Sequence, residues 1–424
     1  MAGAAGVLLM PPAPAPLHIS FFFHANLQYA EFPADAARAL VEESYRPVCE
    51  LFRGRPWARA VFEFSGYTLA LLAASYPDVI DAVRALVRAG QIELCASTYA
   101  NPILPLIPLD HARRQIERFR ATYDELFGDL AVAPAGFFPQ EFALDPASVA
   151  LAQQAGYSWA PVMLNHYLAS LAGHLNIIPD LPLRASAKAP RQVAADLMHP
   201  FPILGARGSR LAGLVNNPAL IDRLFEVANR VIAADDLVAE LVALHERHSA
   251  AGPTFTFVGP SDMEFVGLDF RRFVPDWRWP RPIAPSDMAD LLDRLRALSL
   301  VRFATAREYL AEHPPAGPPL YLKCGSDHPL LTPWTTDPDN RRLNDLCREA
   351  ADGIRLAEQQ LGSQRRQGAD VGAAAGLIDQ AWRAMLLAEN SDGRGWAPLA
   401  ERRLFCYDQA LRAIELAGQA LALL

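Results

Sequence analysis

Short apolar runs recur along this sequence, each followed by a stretch whose apolar residues return every three or four positions. That alternation limits the possible folds more than any other feature. The run LHISFFF (Leu17 to Phe23) is rich in aromatic residues, continuously apolar after Ser20 and too short for a helix, as expected of a strand covered on both faces. The segments Arg59 to Ser65, Gln91 to Ser97, Pro134 to Phe138, Thr254 to Val258 and Val301 to Thr305 read as further strands. Between them, Asp35 to Phe52, Pro77 to Arg88, Asp110 to Phe127, Pro218 to His248 and Ser286 to Leu298 show the apolar stripe of a helix with one buried side. Asp145 followed by Pro146 marks a further helix start, since Asp caps free amides and Pro fits the first helical position. Strands alternating with helices imply an α/β fold with a parallel sheet, open or closed.

The sequence divides by composition. Residues 1–16 read as a flexible tail ending in alternating prolines, and 17–312 form the α/β unit. Residues 313–338 are a connection rich in Pro, Gly and Thr, and 339–424 carry three Ala-, Leu- and Arg-rich helical segments expected to form a three-helix bundle. With 39 Lys plus Arg against 47 Asp plus Glu, the net charge of −8 argues against a nucleic-acid partner, which needs clustered cations. The five cysteines include no Cys-x-x-Cys pair, so neither a disulfide framework nor a zinc ribbon is expected. No run approaches the ~20 apolar residues that cross a bilayer. A cytoplasmic protein with no membrane partner is the expectation.

In parallel barrels, reactive groups sit just past the carboxyl ends of strands, where several loops converge. Three such positions carry unusual polar residues: His24 and Asn26 after the first strand, Glu141 after PAGFF, and Asp262 with Glu264 after TFTFV. Alone, each has a plain reading as a solvated loop residue or turn cap. Two carboxylates on one cleft, however, are the machinery of glycosidic bond cleavage. One attacks the anomeric carbon or steadies its developing charge, and the other protonates the departing oxygen.

The segment AGFFPQEFALDPASVALAQQAGYSW (Ala135 to Trp159) resembles the nucleophile region of glycoside hydrolase family 57. QIELCASTYANPILPLIP (Gln91 to Pro108), SDMEFVG (Ser261 to Gly267) and MLLAENSDGRGW (Met385 to Trp396) resemble three further regions of that family, in the same order. The resemblance spans most of Leu17 to Asp269 and returns after Trp382. It implies a distorted (β/α)7 barrel followed by a C-terminal helical bundle, and retaining chemistry on an α-linked oligosaccharide or polysaccharide with no metal or other cofactor. By carry-over, Glu141 is the nucleophile and Asp262 the general acid/base. This chain departs from the family at His24-Ala25-Asn26-Leu27-Gln28-Tyr29, where the family's second His is Asn26 and its Pro is absent. That loop lines the innermost sugar subsite, so the departure bears on substrate choice.

Further candidates for sugar contact are Tyr29, Tyr99, Asn101, Glu264, Trp277, Trp279, Asp392 and Trp396, beside His24 and Asn26. The tryptophans offer faces on which pyranose C–H bonds stack, although an aromatic beside Pro is as often a packed anchor. Glu63, within a strand, fits either site orientation or a rim salt bridge, while Asp327, His328, Trp334 and Ser391 are weaker candidates for closing the cleft. His245 and His248 share a helix face without a nearby strand-end carboxylate and read as a solvated helix end, not a zinc site. Three functions remain open: a retaining hydrolase, a 4-α-glucanotransferase or branching-type transglycosylase on the same cleft, and a carbohydrate-binding protein that has lost turnover. A metal-dependent deacetylase is the remaining rival.

Overall fold

The computed structural model describes residues 15–171, 198–259, 262–317, 319–322, 331–395 and 397–424. Among the described residues there are eight strands: β1 (Leu17–Ala25), β2 (Ala60–Phe64), β3 (Ile92–Cys95), β4 (Trp159–Met163), β5 (Phe201–Leu204), β6 (Arg210–Asn216), β7 (Thr254–Val258) and β8 (Val301–Phe303). β1 lies between β7 and β2, and β2 pairs with β3, all in parallel. Single bridges then carry the sheet onward, Ala96 to Phe137 and Gly136 to Trp159, into the parallel pair β4 and β6. The result is a curled sheet of seven parallel positions, closed by contact, but by no ladder among the described residues, between β6 and β7. This is the distorted (β/α)7 barrel expected from the resemblance.

The expected strand Pro134 to Phe138 is only a two-residue bridge, and glycine permits it. A Cβ on Gly136 would stand 2.3 Å from the Trp159 ring and 2.9 Å from Cys95 Sγ, so the chain can pass between β3 and β4 only where there is no side chain. Strands β4, β5 and β6 had no counterpart in the sequence reading. Pro161, Pro202 and Gly213 interrupt their apolar runs, and burial rather than β-propensity holds them in the sheet. The helical stretches expected from Pro218 to His248 are two helices, Pro218–Ala228 and Ala234–His248. His245 and His248, expected at a solvated helix end, are buried, and His245 Nδ1 pairs with Thr254 Oγ1 at 2.7 Å.

Three long helices follow the barrel, Pro338–Arg366, Gly372–Ala388 and Ala400–Ala422. Their shared core includes Ile354, Ala381, Met385, Cys406 and Ala413, and Tyr99 and Ala100 of the barrel enter the same cluster. A buried hydrogen-bonded cluster reinforces the junction. His111 Nδ1 lies 2.6 Å from Glu389 Oε1, and Gln115 Nε2 donates to Glu389 Oε2 at 3.3 Å. The helices are thus fixed against the barrel by apolar burial and by buried hydrogen bonds to Glu389 that only a close fit satisfies. Cys49, Cys95, Cys347 and Cys406 are buried free thiols. Among the described residues no helix is long and apolar enough to cross a membrane.

Candidate active site

A cleft of about 380 Å³ opens at the carboxyl ends of the strands. Its walls bring together seven residues singled out in the sequence: His24, Asn26, Tyr29, Glu141, Asp262, Trp277 and Asp392. Ala30, Glu31, Phe138, Gln140, Phe142 and Met163 complete the lining and were not singled out.

Each wall has a local cause. His24 is the penultimate residue of β1, and the following loop supplies Asn26, Tyr29 and Glu31. Phe138 N donates to Ala96 O at 2.7 Å, after which the chain turns sharply through Gln140–Phe142. Glu141 sits in that turn at φ 58°, ψ 22°, a left-handed conformation that costs a side chain about 1–2 kcal/mol. Asp145 then caps the next helix by accepting from Ser148 N at 2.7 Å, as its position before Pro146 implied. Asp262 continues the line of β7 and bridges to His24 across the sheet. Asp392 arrives from the short turn Ser391–Gly393 that follows the helix Gly372–Ala388.

Hydrogen bonds organise these groups. Tyr29 donates its hydroxyl proton to Asp262 Oδ2 at 2.6 Å, and Asn26 Nδ2 donates to Asp392 Oδ2 at 2.9 Å. Glu264 lies behind the wall and is fully buried, accepting from Asn26 N at 2.9 Å and from Tyr45 Oη. Gly267 ends this turn at φ +92°, where a Cβ would stand 1.9 Å from Glu43 O, so only glycine lets the segment settle over the helix below. His24 Nδ1 meets Glu63 Oε2 inside the barrel.

The charges are strongly coupled. Burial alone would lower the His24 pKa, but the adjoining Glu63 carboxylate, with Asp262 and Glu264, raises it to about 10, so His24 is a cation at neutral pH. Burial raises Asp262, opposed by the charge of His24 and the bond from Tyr29. Burial, with Asp262 nearby, lifts Glu264 to about 7 against the bonds from Tyr45 and Asn26. Glu31 is raised to about 7 by burial and by Asp392, and Asp392 to about 6 by burial. Several carboxyl groups therefore hold protons near neutrality around one fixed cation.

The other candidates lie elsewhere. Tyr99 turns toward the helical region, where its hydroxyl accepts from Arg383 Nε at 2.9 Å. Asn101 is buried, and its backbone oxygen accepts from Ser391 N at 3.1 Å. Trp279 stacks on Phe225, with ring centroids 5.5 Å apart and planes 3° from parallel. Glu93 accepts from Trp159 Nε1 at 2.9 Å and Arg307 N at 2.8 Å. Trp396, Asp327 and His328 lie outside the described residues. Among the described residues no cluster of three or more His, Cys, Asp or Glu side chains is arranged to hold a metal ion.

The model of glycosyl hydrolase family 57 matches residues 18–317. An alpha-amylase of Dictyoglomus thermophilum is 26% identical over 151 residues, 36% of this chain and 21% of that protein. A 4-alpha-glucanotransferase of Thermococcus kodakarensis is 27% identical over 129 residues, 30% of this chain and 19% of its own length. The chain thus matches about a fifth of the length of these curated relatives. Among solved structures, the 4-alpha-glucanotransferase of Thermococcus litoralis superposes with a TM-score of 0.67 at 16% identity, covering 94% of this chain and 60% of that one. An alpha-amylase of Thermotoga maritima shares the fold at a TM-score of 0.65 and 12% identity, covering 96% and 94% of the two chains. The family match extends from β1 past β8 and includes both strand-end carboxylates, Glu141 and Asp262: this chain belongs to glycosyl hydrolase family 57.

Proposed function

We propose that this protein cleaves an α-linked glucan or oligosaccharide with retention of anomeric configuration, Glu141 acting as nucleophile and Asp262 as general acid/base. The observation that carries this reading is that these two carboxyl residues, from distant parts of the chain, line one cleft of sugar size. Both are half-buried, and the affinity of Asp262 for a proton is raised, as an acid requires. In the first step a Glu141 oxygen bonds to the anomeric carbon as the glycosidic C–O bond breaks, and the Asp262 proton passes to the leaving oxygen. In the second, Asp262 takes a proton from the incoming hydroxyl, whose oxygen displaces Glu141. His24, held cationic against Glu63, and Asn26 offer donors to sugar hydroxyls, and Trp277 supplies an aromatic wall.

Transfer to a second sugar is the alternative outcome of the same intermediate. The apolar side chains Phe138, Phe142, Met163 and Trp277 around the cleft favour it, since they suit an acceptor sugar better than bulk water. Incubation with a series of α-linked oligosaccharides, followed by product sizing and NMR of the first-formed anomer, tests both readings. Retention with shorter products means hydrolysis, and retention with longer products means transfer. Inversion refutes the assignment of Glu141, and glycan binding without any product leaves a lectin-like protein.

A further inference from the structure

The helix Ala400–Ala422 begins with an arginine turned inward. Arg402 is 5% exposed, yet no carboxylate receives its hydrogen bonds. Its Nε donates to Phe32 O at 2.9 Å, and its Nη2 donates to Leu27 O and Pro33 O, each at 3.3 Å. Two neighbours act on the same loop: Leu399 N donates to Ala30 O at 3.0 Å, and Glu401 Oε1 accepts from Ala34 N at 2.6 Å. Burying a guanidinium is costly, and an apolar side chain would fill the space without that cost. What an apolar residue lacks is a rigid fork of donors able to hold several backbone oxygens in one arrangement. All three oxygens belong to the loop that carries Tyr29, the residue bonded to Asp262.

We propose that Arg402 is a positioning residue: by gripping the backbone on both sides of Tyr29, it holds the Tyr29 hydroxyl against Asp262 Oδ2. The proposal deepens the reading of Asp262 as acid/base and rests on it for its effect on rate. The Tyr29 bond favours the ionised form of Asp262, so releasing the loop raises the proton affinity of that carboxyl. The other charged or titratable groups around Asp262 are His24 from β1, Glu264 from its own turn, Tyr45 from the helical stretch behind that turn, Asp392 from the C-terminal turn, Glu141 across the cleft, and Glu31. Only Glu31 shares the loop with Tyr29. Its withdrawal would act in the opposite sense, so a Glu31→Gln background removes that contribution.

The test follows Asp262 directly by carboxyl carbon NMR titration in wild type, Tyr29→Phe, Arg402→Met and the double variant, with kcat/KM against pH on the same proteins. Tyr29→Phe should raise the Asp262 midpoint and the alkaline limb of kcat/KM by about 1 pH unit. Arg402→Met should move both in the same direction, and the double variant should go no further than Tyr29→Phe alone. Arg402→Lys, which keeps the charge but not the fork, supplies a folded comparison with a smaller shift of the same sign. An unmoved Asp262 midpoint in Arg402→Met, or in Arg402→Lys should the former not fold, overturns the proposal, as do additive shifts in the double variant. A midpoint that moves while the alkaline limb stays fixed supports the positioning role and refutes Asp262 as the acid.

Discussion

His24 and Glu63 meet inside the barrel, Nδ1 against Oε2, on register-paired positions of the adjacent strands β1 and β2. The pair fixes an imidazolium at the floor of the cleft. Because the folded pKa of His24 is raised to about 10 from an ordinary value of 6.5, its stabilisation is complete below pH 6.5 and is lost progressively as pH rises to about 10. Melting curves across this range should show a fall in Tm for wild type that is much flatter in Glu63→Gln. Parallel curves for the two proteins would remove the ion pair from the account.

The left-handed backbone at Glu141 makes a separate prediction. Glu141→Gly and Glu141→Ala both delete the carboxylate, and both should lose at least 10²-fold in turnover if Glu141 is the nucleophile. They should differ in stability. Glycine adopts φ 58° without strain and alanine does not, so the glycine variant should be the more stable by about 1 kcal/mol in urea unfolding. Equal midpoints would show that the turn is not strained.

Asp392 is a half-buried carboxyl whose folded pKa, about 6, exceeds its ordinary 3.8, so its ionised form costs stability above pH 6 and nothing below about pH 4. Asp392→Asn keeps an acceptor for Asn26 Nδ2. Relative to wild type, this variant should gain stability between pH 4 and pH 6 and hold a gain of roughly 1–3 kcal/mol above it. Denaturant titrations at pH 4, 6 and 8 measure this, and a gain that does not vary with pH contradicts it.

Glu389 joins the helical region to the barrel through His111. Leaving the buried donors of His111 and Gln115 without their acceptor costs about 1–3 kcal/mol each. Glu389→Ala should therefore destabilise the protein on that scale and speed hydrogen exchange in the following turn, Ser391–Gly393, which carries Asp392. Exchange unchanged in that turn would mean that the pair does not position it.

Much of the barrel was legible because its strands are covered on both faces and read as apolar blocks. β7 runs from Thr254 to Val258 and the helix Pro77–Arg88 has the bounds its period implied. The reading failed where local chemistry and burial disagree, as with the prolines and glycine of β4, β5 and β6. At the site, strand-end position pointed to His24, Asn26, Glu141 and Asp262. It could not reveal Glu31, an ordinary loop acid made unusual by Asp392 from the far end of the chain, or Tyr45, which reaches Glu264 from a helical stretch that otherwise reads as core. Tyr99 and Asn101 sit within a motif matched to the family but pack toward the helices, a direction that spacing does not encode.

The Asn26 side chain is bonded to Asp392, 366 residues later in the chain. During synthesis, the barrel strands leave the ribosome well before their cleft acquires its last wall. A nascent chain therefore holds Glu141 and Asp262 for many seconds without the groups that order the first loop. Emergence of the turn that carries Asp392 is thus the event that assembles the cleft, and barrel segments released earlier from the ribosome would fold around an unfinished one.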